Sequence, residues 1–193
     1  MAQRRLGAST SRTRTALLDA AEELMRENGY AAVTSRALAA RAGLKAQLVH
    51  YYFRTMDDLF LALFQRVASA LFARQTQILE SEQPLQALWD LTSDPKGVVL
   101  GYEFVALANH RKAIRAQIAE FGDRFREGHV KIVARILKER SESKRGTRAA
   151  LPPIVYAVLL DSVARVLSLE SALGMSVGHA QTLAAIQRFI RNA

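Results

Sequence analysis

Residues 34–53 read TSRALAARAGLKAQLVHYYF, and a short helix, a glycine turn and a second short helix can be followed through them residue by residue. Thr34 or Ser35 supplies the side-chain oxygen that caps the first helix, and Leu38, Ala39 and Ala42 form its apolar stripe. Gly43 then permits the sharp turn, because a residue without Cβ enters the left-handed region at no steric cost. After the turn Leu44, Val49, Tyr52 and Phe53 recur at inward positions. Lys45, Ala46, Gln47, His50 and Tyr51 are left on the other side of a two-turn helix. A short helix with a polar outer face, set at a fixed angle to its predecessor, has the dimensions that fit a DNA major groove.

Working outward, residues 13–28 form a preceding helix with Leu17, Ala20, Ala21 and Leu24 on one face, stopped at Asn28-Gly29. Tyr30 and Val33 bridge to the next helix. At Thr55 a second capping signal appears, with Asp58 three residues later and Asp57 beside it, where carboxylates favour the positive end of the helix dipole. The helix it opens carries Leu59, Leu63, Val67, Ala70 and Leu71 and meets no strong breaker before residues 81–84, so it runs for about 25 residues. That is longer than a three-helix module needs, and it predicts a helix shared between two domains.

The rest of the chain is read as helical too. Pro84 opens a short helix to Leu91, and Asp94-Pro95 opens another. A long amphipathic helix over residues 111–140 is slightly disturbed at Gly122 and Gly128. Residues 141–150 form a charged surface loop, residues 154–173 are apolar on nearly every side, and residues 177–190 are amphipathic. The expected architecture is all-α: a basic, disordered arm at 1–12, a three-helix DNA-binding domain at 13–55, and a helical ligand-binding and dimerisation domain at 56–193.

Composition narrows the function classes. The chain has 193 residues and a formal net charge of +9, from 27 Lys and Arg against 18 Asp and Glu. Nine of the basic and four of the acidic residues fall within residues 1–54, so the positive charge is concentrated at the front. The absence of cysteine excludes disulfides, thiolate catalysis and cysteine zinc sites, and fits a reducing cytoplasm. Arg4 and Arg5 are not followed by the apolar run of a signal peptide, and the apolar stretch 154–160 stops at Asp161, far short of the roughly 20 residues of a membrane span. His50, His110, His129 and His179 are scattered, and no paired-ligand spacing, GxSxG or phosphate loop occurs, so neither an enzyme nor a metal or cofactor site is expected.

Taken together, TALLDAAEELMRENGY, TSRALAARAGLKAQLVHYYF and RTMDDLF resemble the DNA-binding domain of the TetR family of bacterial transcriptional regulators, over residues 12–60. The resemblance implies a cytoplasmic homodimer with one DNA reader per subunit, usually a repressor released by a small molecule. Carried over by position, its DNA contacts fall on Thr34, Ser35, Arg36, Lys45, Ala46, Gln47, Leu48, His50 and Tyr51. Three positions depart from the family pattern: Gln47 where a small residue is usual, His50 where tyrosine is common, and Met56 where a lysine often meets phosphate. Arg54 and Thr55 lie close enough to replace that lysine.

Arg36 is the first choice for base readout, since a guanidinium can bond guanine O6 and N7 together; its other reading is a phosphate contact. Gln47 either reads adenine or is solvated, and the arm either tracks a groove or is a solvated tail. In the second domain Trp89, Tyr102, Phe104, Phe121, Phe125 and Tyr156 are enough aromatics to line an apolar cavity, with His110 and Glu103 as polar anchors. Their other reading is ordinary core. Ile154, Val158, Val163 and Val166, with Leu183, Ile186 and Ile190, suit a dimeric four-helix bundle burying on the order of 1,600 Å². The competing functions are a helical-bundle carrier or enzyme and a sequence-indifferent basic protein on DNA or anionic membrane.

Overall fold

The computed structural model describes residues 11–142 and 151–191. Among them every regular element is a helix, as the patterning requires. In order they are α1 (Arg12–Asn28), a 3₁₀ turn (Tyr30–Ala32), α2 (Ser35–Arg41), α3 (Ala46–Tyr52), α4 (Met56–Ile78), α5 (Pro84–Thr92), α6 (Pro95–His110), α7 (Lys112–Glu142), α8 (Pro153–Ala172) and α9 (His179–Arg191). No described helix is long and apolar enough to cross a membrane. The expected basic arm over 1–12 falls largely outside the described residues, as does most of the expected loop over 141–150. Ser11 is described, and its hydroxyl accepts from the Arg14 N–H at 3.1 Å, so α1 starts at Arg12 inside the stretch expected to be arm.

Packing divides the chain into two compact units. One holds the described residues up to Ser69 together with Val99–Ala119; the other holds Ala70–Val98 and the described residues from Glu120 onward. The first unit therefore reaches beyond the 13–55 segment. Phe64 of α4 meets Phe104 of α6 edge-on, with ring centroids 5.2 Å apart. Glu103 accepts the Tyr30 backbone N–H at 2.7 Å, just after α1 ends. Arg111 pairs with Asp57 in the first turn of α4 and lies over the Phe60 ring at 5.5 Å. Arg66 ties α4 to α1 by donating to Asp19, to Glu22 and to the Leu18 carbonyl.

Glu22 is the centre of this last network. Burial raises its pKa, but hydrogen bonds from Arg26 and Arg66 outweigh that effect and hold the carboxyl below its usual range. A depressed folded pKa stabilises the fold above the unfolded carboxyl value of roughly 4.3, and the contribution is lost as pH falls through the lower folded value. Replacing Glu22 with glutamine is expected to cost about 1 kcal/mol at neutral pH and to flatten the acid limb of the stability curve, which urea titrations between pH 3 and 7 measure.

The second unit is built on a continuous apolar cluster: Ile78 of α4; Leu85, Leu88, Trp89 and Leu91 of α5; Phe125, Ile132, Val133 and Ile136 of α7; and Ala157, Leu160 and Ala164 of α8. Gly128 does not interrupt α7. A Cβ there would collide with the amide of the buried Gln75, whose Nε2 donates to the Phe125 carbonyl at 2.8 Å. Gly128→Ala is expected to cost about 1–3 kcal/mol, because the Gln75 amide must leave the Phe125 carbonyl, and thermal denaturation reads this as a lowered Tm.

Candidate nucleic-acid interface

The reading elements are positioned by local chemistry. Thr34, rather than Ser35, caps α2: its hydroxyl accepts the Ala37 N–H at 3.2 Å. Gly43, at φ +65°, ends the helix, with Leu44 N–H bonded to the Ala39 carbonyl and Gly43 N–H to the Ala40 carbonyl. This pair of bonds satisfies the last carbonyls and sets the direction in which α3 leaves. Val49 and Phe53 are buried beneath α3, and Arg14 of α1 lies over the Phe53 ring at 5.1 Å. Thr55 and Asp58 cap α4 reciprocally, at 3.0 and 3.1 Å.

With its inner side so anchored, the α2–α3 pair turns one continuous polar strip to solvent. Thr34, Arg36, Lys45, Ala46, Gln47, His50, Tyr51 and Arg54 are exposed; Ser35 and Leu48 are half-buried. Tyr51 stands edge-on to Tyr52 at 5.0 Å, so part of its ring surface is held in place by its neighbour. Of the two residues expected to replace the lysine at Met56, Thr55 has its hydroxyl committed to the cap, which leaves Arg54 as the free basic group.

Several other cations of the unit are neutralised. Arg26, Arg41, Arg66 and Arg111 are each paired with carboxylates, Arg41 with both Glu23 and Glu27. Its hydrogen bonds hold the Glu27 carboxyl below the usual range and raise its own guanidinium pKa. Arg36, Lys45 and Arg54 make no ion pair among the described residues. Cations left unneutralised on one exposed strip, beside hydrogen-bonding side chains at helical spacing, suit a polyanion that also carries readable edges.

The residues expected to hold a ligand fall in both units. Trp89, Phe121 and Phe125 belong to the second unit, with Phe121 and Phe125 stacked at 5.1 Å and Phe72 edge-on to both. Tyr102, Glu103, Phe104 and His110 belong to the first. There Glu103 holds the Tyr30 N–H, Phe104 is buried on Phe64, His110 lies 6.4 Å from the Tyr30 ring, and Tyr102 is half-buried. Tyr156 stacks on Phe189 beside a shallow apolar depression that Leu85, Val133 and Leu160 also line.

On α8 one side is buried through Ala157, Leu160, Asp161 and Ala164, while Ile154, Val158, Leu159, Val166 and Leu169 on the other side face solvent. Val163 is half-buried. In α9 nothing is fully buried: Leu183 is exposed, and Ile186 and Ile190 pack partly on the core. Sequence reasoning missed one arrangement altogether. His129 and Asp161 are fully buried and bonded to each other, with Arg126 on the same carboxylate. A lone aspartate interrupting the apolar run of α8 was its only trace in the sequence.

Comparison with known proteins places these features. Residues 17–63 match the family model of the bacterial regulatory proteins, tetR family. A Saccharomonospora viridis transcriptional regulator solved in complex with choline superposes with a TM-score of 0.74 at 20% identity, over 92% of this chain and 95% of that one. A Rhodococcus sp. protein assigned to the TetR-family transcriptional regulators gives 0.70 at 19%, over 93% and 100%. The ketosteroid transcriptional regulator KstR2 of Mycobacterium tuberculosis gives 0.65 at 23%, over 95% and 96%. No curated protein sequence matches the chain. At these identities the solved structures establish the fold over nearly the whole chain.

Proposed function

Because the chain belongs, through residues 17–63, to the TetR family of bacterial regulatory proteins, we propose that it is a homodimeric repressor that reads a pseudo-palindromic operator and leaves it on binding a small, largely apolar ligand. The observation that carries this reading is the exposed polar strip of α2 and α3, where Arg36, Lys45 and Arg54 make no ion pair among the described residues while Arg41 and Arg66 of the same unit are paired with carboxylates. Arg36 and Gln47 read base edges; Thr34, Ser35, Lys45, Ala46, Leu48, His50, Tyr51 and Arg54 meet phosphate, sugar or thymine methyl groups. The dimer forms through the exposed apolar side of α8 with Leu183, Ile186 and Ile190 of α9, and sets two copies of α3 about 34–36 Å apart, one helical turn of DNA. The protein acts in the cytoplasm, as regulation of a bacterial promoter requires.

Ligand binding belongs to the second unit, around Trp89, Phe121 and Phe125. The similar Saccharomonospora viridis regulator holds choline, which supports a small molecule on this fold without specifying this one. The route back to DNA is carried in the chain itself. α4 begins beside the reading elements and ends among the second unit's core residues, and α6 and α7 also contribute to both units. A ligand that favours a shifted α4 lowers operator affinity by the difference in its affinity for the two states, and by no more.

The test is an anisotropy or gel-shift titration against genomic promoter fragments at several salt concentrations. A preferred fragment containing an inverted repeat, with selectivity retained as salt rises, is the expected result. Binding that loses all selectivity as salt rises is the behaviour of a sequence-indifferent basic protein and overturns the proposal.

A further inference from the structure

Outside the helix-turn-helix, the first unit presents a second basic surface at the corner where α6 ends and α7 begins. Residues 99–119 are the part of these helices that belongs to the unit, and they contain Arg111, Lys112 and Arg115 against a single carboxylate, Glu103. That carboxylate faces inward to the Tyr30 N–H. Leu107 and Ile114 are buried and anchor the inner side of the corner, while Lys112 and Arg115 are exposed. Arg115 Nε donates to the Ala108 carbonyl at 3.3 Å, which ties the start of α7 back to α6. Neither Arg115 nor Lys112 makes an ion pair among the described residues.

Two contacts set this corner beside the reading elements. The Arg111 guanidinium pairs with Asp57 in the first turn of α4, and the His110 ring stands 6.4 Å from that of Tyr30, in the turn that leads to the Thr34 cap. The first turn of α4 follows directly on α3 and carries Asp57 and Asp58 with no cation of its own. Two carboxylates in that place repel a phosphate backbone unless they are offset. Asp58 accepts the Thr55 N–H, and Arg111 offsets Asp57; Lys112 and Arg115, the next cations along α7, then leave the corner positive. A positive, exposed corner next to a strip suited to base edges fits the phosphates that flank the bases being read.

We propose that the α6–α7 corner is a further DNA-backbone site, in which Lys112 and Arg115 each meet a phosphate while Arg111 is a positioning residue that holds the corner against α4. The occupant is the phosphodiester backbone of the same duplex that α3 reads, so the site adds affinity without adding sequence preference. This rests on the DNA-reading role above and deepens it.

The experiment titrates the full-length protein against a promoter fragment that it prefers and against a duplex of random sequence, each over a range of salt concentrations. Lys112→Gln, an exposed change that leaves the bond from Arg115 to the Ala108 carbonyl in place, is expected to weaken binding to both duplexes by the same factor, about threefold to tenfold. The slope of log affinity against log salt is expected to fall by about 0.9 for each phosphate released. Lys131→Gln removes the same charge from an exposed position of the second unit and is expected to leave both quantities near wild type. Methylphosphonate scanning of the duplex locates the contact: neutralising one particular phosphate per half-site weakens binding by the wild type and has no effect on Lys112→Gln. An unchanged slope in Lys112→Gln, an equal loss in Lys131→Gln, a loss confined to the preferred fragment, or the same methylphosphonate profile in both proteins each overturns the proposal. The two readings stay separable. Selective operator binding with an unchanged slope sinks only this site, whereas a reduced slope on random duplex without preference for any promoter sinks the regulator reading and leaves the corner in contact with DNA.

Discussion

Val158→Asp is expected to convert the protein from a dimer to a particle of 21.4 kDa and to weaken binding to a full palindromic operator by at least a hundredfold. Val158 is 38% exposed, on the side of α8 opposite Ala157, Leu160 and Ala164, in a stripe with Ile154, Leu159, Val166 and Leu169. Within one subunit the aspartate faces water, so the fold itself is expected to lose no more than about 0.5 kcal/mol. In a two-fold dimer the same position occurs twice. Two carboxylates are then desolvated against apolar partners with no counter-charge, at roughly 2 kcal/mol or more each, which raises the dimer dissociation constant by about a thousandfold.

The effect on DNA follows from geometry. A dimer that has engaged one half-site presents its second reader at high effective concentration, and two separated monomers do not. Sedimentation velocity and an operator titration on the same preparation measure both consequences. An unchanged dimer would remove the exposed side of α8 from the interface; a dissociated protein that still binds the full operator with undiminished affinity would show that pairing is not needed for recognition.

The reach of sequence reasoning is marked by particular residues. Helix boundaries were legible to within a residue or two wherever the capping chemistry is local: Asn28-Gly29, Thr34, Gly43, the Thr55–Asp58 box, and Pro84 and Pro95 at the first helical position. The exposed strip on α3 was legible for the same reason, since a helix of 3.6 residues per turn fixes which side chains share a side once one of them is anchored. Contacts between distant helices were not. Glu103 was read as a ligand anchor, but it holds the Tyr30 N–H 73 residues away. His129 and Asp161 are 32 residues apart on different helices, and periodicity places each on a face without saying which face it meets. The aromatics chosen as one cavity divide between the two units because size and apolarity mark them as core without assigning them to a particular core.

The remaining prediction concerns sequence recognition. Arg36→Ala is expected to reduce affinity for the preferred operator by roughly 5- to 150-fold, corresponding to about 1–3 kcal/mol, while binding to unrelated DNA falls far less. The side chain is exposed near the start of α2, has no carboxylate partner among the described residues, and is carried on a helix whose first turn is fixed by the Thr34 cap. Its guanidinium is thus free to bond a guanine edge bidentately without first breaking an ion pair. Lys45→Ala provides the contrast: losing a phosphate contact weakens all sequences alike and reduces the slope of log affinity against log salt by about 0.9. Arg41→Ala is the control, because that guanidinium is already held by Glu23 and Glu27 and its removal should leave both affinity and sequence preference near wild type. Selection from a randomised operator library distinguishes the cases. Loss of preference confined to one base pair per half-site assigns Arg36 to base readout, a uniform loss assigns it to the backbone, and an unchanged profile removes it from the interface.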